Sequence, residues 1–186
     1  MHYIEGIKTK LIEVDETDAA EMINLRNNPA YNKYLFQQPI LIENQVQWIN
    51  DNRLKKDNVN FKVVDLDNNF KGTISIYDIK EKRGEFGRYI VTNPINAIEA
   101  EYLFLKFTFD NLKLESIFCQ TNQENNSVWN QHTKLGFRFV QLKDVLVGDT
   151  PKIKVKAVVQ EISAADFHNF NYSDILQLLE KIKIGK

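Results

Sequence analysis

Hydrophobic and polar positions follow two periods along this chain, and the change from one to the other predicts where strands and helices lie. Alternation at every second residue predicts a strand, and apolar residues spaced three and four apart predict a helix with one buried face. Strands are predicted at 7–14, 60–65, 71–79, 84–91, 115–121, 137–147 and 152–162. Helices are predicted at 15–27, 43–55, 95–112, 127–135 and 173–183.

Polar residues between these segments support the same division. Asp67-Asn68-Asn69 predicts one hairpin turn, Gly148-Asp149 predicts a second, and Asn93-Pro94 ends a strand. Gly136 is a candidate left-handed helix cap, and 28–38 is a loop or a short helix. The order of elements indicates an α/β (α+β) fold, in which helices cover a mixed, mostly antiparallel sheet of about seven strands.

Composition and charge exclude several classes of protein. The 186 residues fit one domain, and 43% hydrophobic with 26% charged residues is typical of a globular protein. A formal net charge of −1 leaves no basic excess to attract nucleic acid or an anionic membrane. Cys119 is the only cysteine, which excludes a disulfide framework or a cysteine-based zinc site within the chain. No secretory pattern opens the sequence and Lys106 interrupts the longest apolar stretch, so we expect a cytoplasmic protein.

Several motifs carry a resemblance to a known family. The strand Glu85-Phe86-Gly87-Arg88-Tyr89-Ile90-Val91 leads through a turn into Ala97-Ile98-Glu99-Ala100. Asn125 and Lys134-Leu135-Gly136-Phe137 follow, and Leu25-Arg26-Asn27-Asn28 matches an earlier signature. From about residue 7 to 167 the chain resembles the GNAT superfamily of acyl-CoA-dependent N-acyltransferases. It is most similar to the branch that includes spermidine, ribosomal-protein and sugar-nucleotide acetyltransferases. The resemblance implies a sheet splayed near its middle and one acyltransferase domain over 1–186.

The resemblance implies acyl-CoA as co-substrate, with an acetyl or short hydroxyacyl group, and no metal. In the family, a strand matching 88–91 hydrogen-bonds the pantetheine arm, and the N-terminus of the next helix holds the diphosphate. An asparagine matching Asn125 also contacts the arm, although the same residue is favoured as a plain helix cap. The coenzyme-binding residues implied in this way are Arg88, Tyr89, Ile90, Val91, Asn93, Asn96, Ala97, Ile98, Asn125 and Lys134.

The turn before this helix departs from the family pattern. Asn93 and Ile95 stand where two glycines usually let the backbone approach phosphate, and Pro94 between them has no N–H to donate. We therefore expect either weaker binding of the diphosphate or help from the side chains of Asn93 and Asn96. The same departure leaves open a binding module that holds acyl-CoA without turnover.

Two residues are candidates for proton transfer. His132 matches the tyrosine that many relatives use to protonate the departing thiolate, and histidine can donate a proton near neutrality. Glu85 matches a carboxylate that accepts the proton of the amine, and Asp78 and Glu81 are weaker candidates for that task. The alternatives are a half-exposed histidine without a role and a surface carboxylate.

The acceptor site is expected in the loop after the first helix, where aromatic, amide and guanidinium groups suit a sugar or a nucleotide base. The candidate acceptor-binding residues are Arg26, Asn27, Tyr31, Tyr34, Phe36, Gln38 and Glu85. Similarity to the sugar-nucleotide subgroup implies a dTDP- or UDP-linked amino sugar, used in bacterial surface polysaccharides such as O-antigen or capsule. The alternatives are a polyamine, a protein N-terminus, and a loop held to the core by its aromatic residues. The protein is expected to act without a nucleic-acid or membrane partner, as a monomer or a homodimer.

Overall fold

Strands form one open sheet, and helices pack against it in two separate clusters. The computed structural model describes residues 2–35, 40–148 and 151–184, with only the backbone at 183 and 184. Within these ranges the strands are β1 (Tyr3–Glu5), β2 (Thr9–Glu13), β3 (Val59–Asp65), β4 (Phe70–Lys80), β5 (Arg83–Val91), β6 (Ser116–Asn122), β7 (Arg138–Val147) and β8 (Ile153–Ser163). The α-helices are α1 (Ala19–Asn27), α2 (Ile42–Arg53), α3 (Pro94–Asp110), α4 (Asn126–Lys134), α5 (Ala164–Asn169) and α6 (Ser173–Ile184).

The predicted fold class is confirmed, and each predicted strand and helix is present with its ends displaced by a few residues. Two elements were not predicted, so the described residues form eight strands in place of about seven. β1 has three residues, too few for a period to show, and it pairs with β2. α5 has six residues and begins at a capping box in which Ser163 and Asp166 bond each other's backbone N–H groups.

The sheet is splayed between β5 and β6. The strand order is β1-β2-β3-β4-β5-β6-β8-β7, and β5 with β6 is the only parallel pair among the described strands. These two strands pair only over 83–85 and 116–118. Farther along, β5 stays paired with β4 and β6 stays paired with β8, so a gap opens between 86–90 and 119–122. The splay that the family resemblance implied is therefore present.

A bulge interrupts β5 beside this gap. The register of β4 and β5 shifts so that Arg88 and Tyr89 together stand opposite Ile74. Arg88 has a backbone φ of 48°, in the left-handed region that a residue with a Cβ rarely adopts. A bulge leaves backbone groups outside the ladder and re-aims the side chains. As a result, the side chain of Arg88 contacts Trp48 and Tyr77. The side chain of Tyr89 contacts α3 and α4.

α3 supplies the centre of the larger hydrophobic cluster, as its strongly apolar sequence predicted. Phe104 is fully buried and packs edge-on against Phe61, and its ring centroid lies 5.2 Å from that of Phe86 on β5. Burying one such side chain stabilises the fold by about 1.5–3 kcal/mol. α1 and α2 form the second cluster, which consists of Val14, Ala19, Met22 and Ile49. The larger cluster includes Phe86 of β5 and Ile117 and Cys119 of β6, so core packing holds the strands on both sides of the gap.

Candidate active site

The gap between β5 and β6 is an open groove of about 250 Å³. Both diverging strands and α4 contribute to its walls. Tyr34 also lines it and donates its hydroxyl to the backbone oxygen of Glu124 at 3.0 Å, across the mouth of the groove. The sequence-predicted residues that line it are Arg26, Tyr34, Arg88, Tyr89, Ile90, Asn125 and His132. The groove offers two unpaired strand edges to an extended ligand.

A second, larger cavity of about 460 Å³ lies beside the groove, among α1, α2 and strands β3 to β5. Arg26 and Arg88 line both spaces, so the two cavities are adjacent at these residues. Its polar and aromatic wall includes Asn44, Gln45, Trp48 and Asn60. No aspartate or glutamate is among the described residues that line it, although the charges of Asp78 and Glu85 act on Arg88.

Arg88 is held firmly at the junction of the two cavities. Its guanidinium donates to Asn60 Oδ1 at 3.0 Å and lies over the rings of Tyr77 and Trp48, 4.2 and 4.9 Å from their centroids. Burial lowers the pKa of Arg88, but an arginine keeps its charge at any ordinary pH. The bulge in β5 thus fixes a positive charge beside both cavities.

Arg26 brings a second positive charge to the same junction. Burial lowers the pKa of Arg26, and the charge of Arg88 lowers it further. Guanidinium groups match phosphate or carboxylate oxygens through their planar forks. The two arginines are therefore candidates for contact with an anionic ligand.

Glu85 and Gln120 form a polar pair beside the groove. The Tyr77 hydroxyl donates to Glu85 Oε1 at 3.1 Å and Gln120 Nε2 donates to the same oxygen at 3.3 Å. Burial raises the pKa of Glu85, and these two hydrogen bonds oppose the rise. Gln120 Oε1 is buried and has no partner among the described residues. Since a buried acceptor without a donor costs free energy, this oxygen is ready to accept from a ligand N–H.

His132 and Glu101 form a buried pair under the groove. Their side chains are 2% and 0% exposed, and His132 Nδ1 lies 2.6 Å from Glu101 Oε1. Gln131 Nε2 donates to the other carboxylate oxygen at 2.7 Å. His132 is thus not the half-exposed residue of the alternative interpretation, because it is buried, paired and part of the groove wall.

Asn125 precedes α4, but its side chain makes no capping hydrogen bond to that helix. Its Oδ1 accepts from the Ser127 hydroxyl at 3.2 Å, and the half-buried side chain lines the groove. The geometry favours an amide that faces a ligand over a plain cap. Its contact with a coenzyme stays a prediction.

The side chains of Asn93 and Asn96 at the N-terminus of α3 make hydrogen bonds within the fold, and their contact with a diphosphate stays a prediction. Asn93 Oδ1 already accepts from the backbone N–H groups of Ile95 and Asn96, at 2.9 and 3.3 Å, and Pro94 has no N–H. The Asn96 amide is buried and donates to Thr9 Oγ1 at 2.9 Å, so it points towards β2. The side chains of Asn93 and Asn96 are therefore engaged within the fold and do not face the groove.

Several other predicted residues lie away from both cavities. Those that line neither are Asn27, Tyr31, Glu85, Val91, Asn93, Asn96, Ala97, Ile98 and Lys134. Glu85 still touches the groove through Gln120, whereas Ala97 is buried and Lys134 is exposed. Phe36 and Gln38 lie outside the described residues. The fold thus brings together the strand segment 88–90, Asn125 and His132, but not the predicted turn.

Sequence reasoning missed the roles of four residues that complete the site. They are Trp48, Asn60, Glu101 and Gln120. One signal was available for Glu101, because a carboxylate inside the strongly apolar stretch 97–109 is unusual unless it is paired. The other three sit in ordinary strand or helix patterns that give no hint of function.

Three further features bear on the chemistry of this site. Cys119 lines the groove but is 2% exposed, and burial raises the pKa of its thiol, which makes it a poor nucleophile. Among the described residues, no three His, Cys, Asp or Glu side chains are placed to hold a metal ion. In that same part of the chain, every helix is too short or too polar to cross a membrane.

Comparison with known sequences gives one family and one curated relative. The family model described as "Acetyltransferase (GNAT) domain" matches residues 9–138. The relative is the "SPbeta prophage-derived uncharacterized N-acetyltransferase YokL" of Bacillus subtilis (strain 168), which is 33% identical over 104 residues. The match covers 53% of this chain and 58% of that protein, so the chain spans little more than half the length of this relative.

Comparison with solved structures shows the same fold. "Apo FdhC, a nucleotide-linked sugar GNAT" superposes with a TM-score of 0.80 at 21% identity, over 96% of this chain and 98% of that one. Spermidine N-acetyltransferase from Vibrio cholerae in complex with CoA and spermine gives a TM-score of 0.76 at 19% identity, over 88% and 100%. Because the family model covers well over half of the sequence, and the splayed sheet agrees with it, this chain belongs to the GNAT acetyltransferase family.

Proposed function

We propose that this chain is an acyl-CoA-dependent N-acyltransferase whose acceptor is the amine of a nucleotide-linked amino-deoxy sugar. The donor is acetyl-CoA or a short hydroxyacyl-CoA held in the groove between β5 and β6. Family membership supports the acyl-CoA chemistry. The product would serve the assembly of a surface polysaccharide such as O-antigen or capsule, as the sequence resemblance implies.

The observation that carries the choice of acceptor is the set of charged residues that line the larger cavity. A polyamine carries several positive charges and needs carboxylates around it, whereas the described wall of this cavity has two arginines and no carboxylate. A nucleotide sugar carries a diphosphate, which pairs with guanidinium groups through charge-assisted hydrogen bonds. The volume of about 460 Å³ is within the usual range for a small-molecule site, and Trp48 offers an aromatic face.

The proposed reaction needs a base for the amine, a group that stabilises the oxyanion, and a proton donor for the thiolate. A neutral amine attacks the thioester carbonyl, and Glu85, next to Gln120, takes the proton that the amine loses. Backbone groups released from the ladder at the Arg88 bulge lie beside the groove to stabilise the oxyanion. The C–S bond then breaks, the amide forms, and His132 protonates the departing thiolate, whose thiol has a pKa of about 8.5.

The experiment that tests this function is a thiol-release screen. Acetyl-CoA and 3-hydroxybutanoyl-CoA are offered with dTDP- and UDP-linked amino sugars, the corresponding free amino sugars, spermidine and a peptide with a free N-terminus. We expect the highest kcat/KM for a nucleotide-linked sugar, and a value at least about tenfold lower for its free sugar, which lacks the charged contacts. Equal or faster turnover of spermidine would overturn the proposed acceptor.

Substitution of Arg26 tests whether the larger cavity binds the nucleotide-linked acceptor. Arg26→Gln should raise the KM for the nucleotide-linked sugar by about tenfold, because a charged hydrogen bond is lost, and should leave the KM for the free sugar unchanged. Arg53→Gln is the matched control, since Arg53 is exposed at the end of α2 and does not line the large cavity. An equal KM for wild type and Arg26→Gln would remove Arg26 from acceptor binding.

A second candidate function is an acyl-CoA-binding module without turnover. The observation that favours it is the N-terminus of α3, where Asn93 occupies two backbone N–H groups that the family offers to diphosphate. A thermal shift with acyl-CoA, together with no thiol release across the whole amine panel, would support the module and exclude the enzyme.

A further inference from the structure

The buried carboxylate of Glu101 has no role in the proposed reaction as stated so far, although it touches the one residue that would protonate the leaving group. Glu101 lies on α3, His132 lies on α4, and Nδ1 of the imidazole is 2.6 Å from Oε1 of the carboxylate. Among the described residues, the hydrogen bonds of His132 involve Nδ1 and none involves Nε2. The ring also contributes to the wall of the groove, so Nε2 is the nitrogen left for a ligand.

The contact between His132 and Glu101 also involves the charge of a buried carboxylate. A carboxylate that is 0% exposed is costly unless a positive group compensates it, and His132 is the only partner of Glu101 in an ion pair among the described residues. The titratable groups around the pair are Tyr89 from β5, Cys119 from β6 and Tyr172 before α6. Their pKa values are raised mainly by burial and further by the charge of Glu101, so each stays neutral. His132 is thus the group that can carry the compensating charge.

The carboxylate is itself held in one orientation. Gln131 donates through Nε2 to Glu101 Oε2 at 2.7 Å and to the Tyr89 hydroxyl at 2.5 Å. The Tyr89 hydroxyl donates in turn to the backbone oxygen of Ala97 at 3.1 Å. This chain joins β5, α3 and α4, so both oxygens of Glu101 are fixed before any ligand arrives. The imidazole, packed between Phe86 and Phe137, has little freedom to rotate.

We propose that Glu101 is a positioning residue for catalysis, which holds His132 with Nδ1–H towards the carboxylate and Nε2–H towards the sulfur of bound coenzyme. This inference rests on the proposed function. Glu101 holds the ring in one orientation through Nδ1, so that Nε2–H can face the groove. When the C–S bond breaks, Nε2 gives its proton to the thiolate, and the neutral imidazole keeps its Nδ1–H bond to Glu101. A proton from solvent restores Nε2–H.

Two variants separate this role from a structural one. Glu101→Gln keeps the shape and a hydrogen-bonding oxygen but removes the charge, and His132→Asn keeps a donor near Nδ1 but deletes Nε2. In the wild-type background, we expect Glu101→Gln to lower kcat at least tenfold. In the His132→Asn background, we expect Glu101→Gln to change kcat less than twofold. The KM for acetyl-CoA should stay constant throughout.

A structural role predicts a different pattern. Glu101→Gln would then lower kcat by the same factor in both backgrounds, in step with a fall in Tm. That pattern, or an unchanged kcat in Glu101→Gln, overturns the inference and leaves the proposed function standing if wild-type protein releases thiol.

A second measurement needs no turnover. The chain has three histidines, so the signals of a ¹⁵N-histidine-labelled sample can be assigned to His132 by their loss in His132→Asn. We expect the tautomer with a proton on Nδ1 in wild type, because Nδ1 faces the carboxylate, and a mixture of both tautomers in Glu101→Leu, which lacks the acceptor. The same tautomer in the two proteins overturns the inference. A wild-type protein that releases no thiol overturns the proposed function instead, and the ¹⁵N signals still decide whether Glu101 positions His132.

Discussion

At the scale of single residues, Glu85 gives the clearest test of acid–base chemistry. Burial raises the pKa of Glu85, so the deprotonated form that accepts a proton is lost at a higher pH than for an exposed glutamate. We expect kcat/KM to fall on the acidic side through that raised pKa. Glu85→Gln should lower kcat about a hundredfold and remove this acidic limb, as measured by thiol release from pH 5 to 9.

The same carboxyl group affects stability with a defined sign. A group whose pKa is raised in the folded protein favours folding when it is protonated, and this contribution is lost as pH rises through the raised pKa. The Tm of Glu85→Gln, relative to wild type, should therefore increase with pH. Glu180→Gln, at an exposed position on α6, is the control. A Tm difference that is constant with pH, or an acidic limb kept in the variant, would contradict this account.

The sequence predicted single functional residues only where a family motif marked them. His132 and Arg88 could be named from their neighbours in the chain, and both line the groove. Glu101 and Gln120 could not, because their importance comes from contacts with residues 31 and 35 positions away. A pattern along one chain reports periodicity and capping, but it does not report which buried polar groups meet after folding.

At the scale of elements, the N-terminus of α3 tests how the coenzyme would be held. Asn93 caps this helix by accepting from two backbone N–H groups. Asn93→Gly should cost only a few tenths of a kcal/mol of stability, whereas Asn93→Ala should cost about 1 kcal/mol. Because glycine frees both N–H groups for phosphate, we expect the Kd for CoA to fall about two- to fivefold in Asn93→Gly, measured by calorimetry.

Pantetheine is the control ligand for the effect of Asn93→Gly on the binding of the diphosphate. Pantetheine lacks the diphosphate, so its affinity should be equal in wild type and Asn93→Gly. A higher Kd for CoA in Asn93→Gly, with an unchanged Tm, would instead assign the Asn93 side chain to the diphosphate, as the sequence analysis expected.

Elements were predictable where their residues repeat a period for long enough. α3 shows an apolar character over 17 residues, and it was placed correctly against the sheet. β1 was missed because three residues hold no period, and because its place depends on pairing with β2. The bulge in β5 was also unpredictable, since an arginine gives no local signal for a positive φ.

At the scale of the whole molecule, one architectural feature creates the site. β5 and β6 part after three paired residues, and the groove that results runs beside a cavity enclosed by α1 and α2. Donor and acceptor would therefore approach the Arg26–Arg88 junction from two sides. β7 exposes several apolar side chains, including Phe139, Leu142 and Leu146. A homodimer stays a prediction.

The measurement that tests the account most directly is a crystal structure of the protein with CoA. We expect the pantetheine arm to lie between β5 and β6, with the thiol sulfur near His132 Nε2 and an amide of the arm at Asn125. Coenzyme bound elsewhere, or a closed gap between 86–90 and 119–122, would contradict the central claim that this splay is the acyl-CoA site.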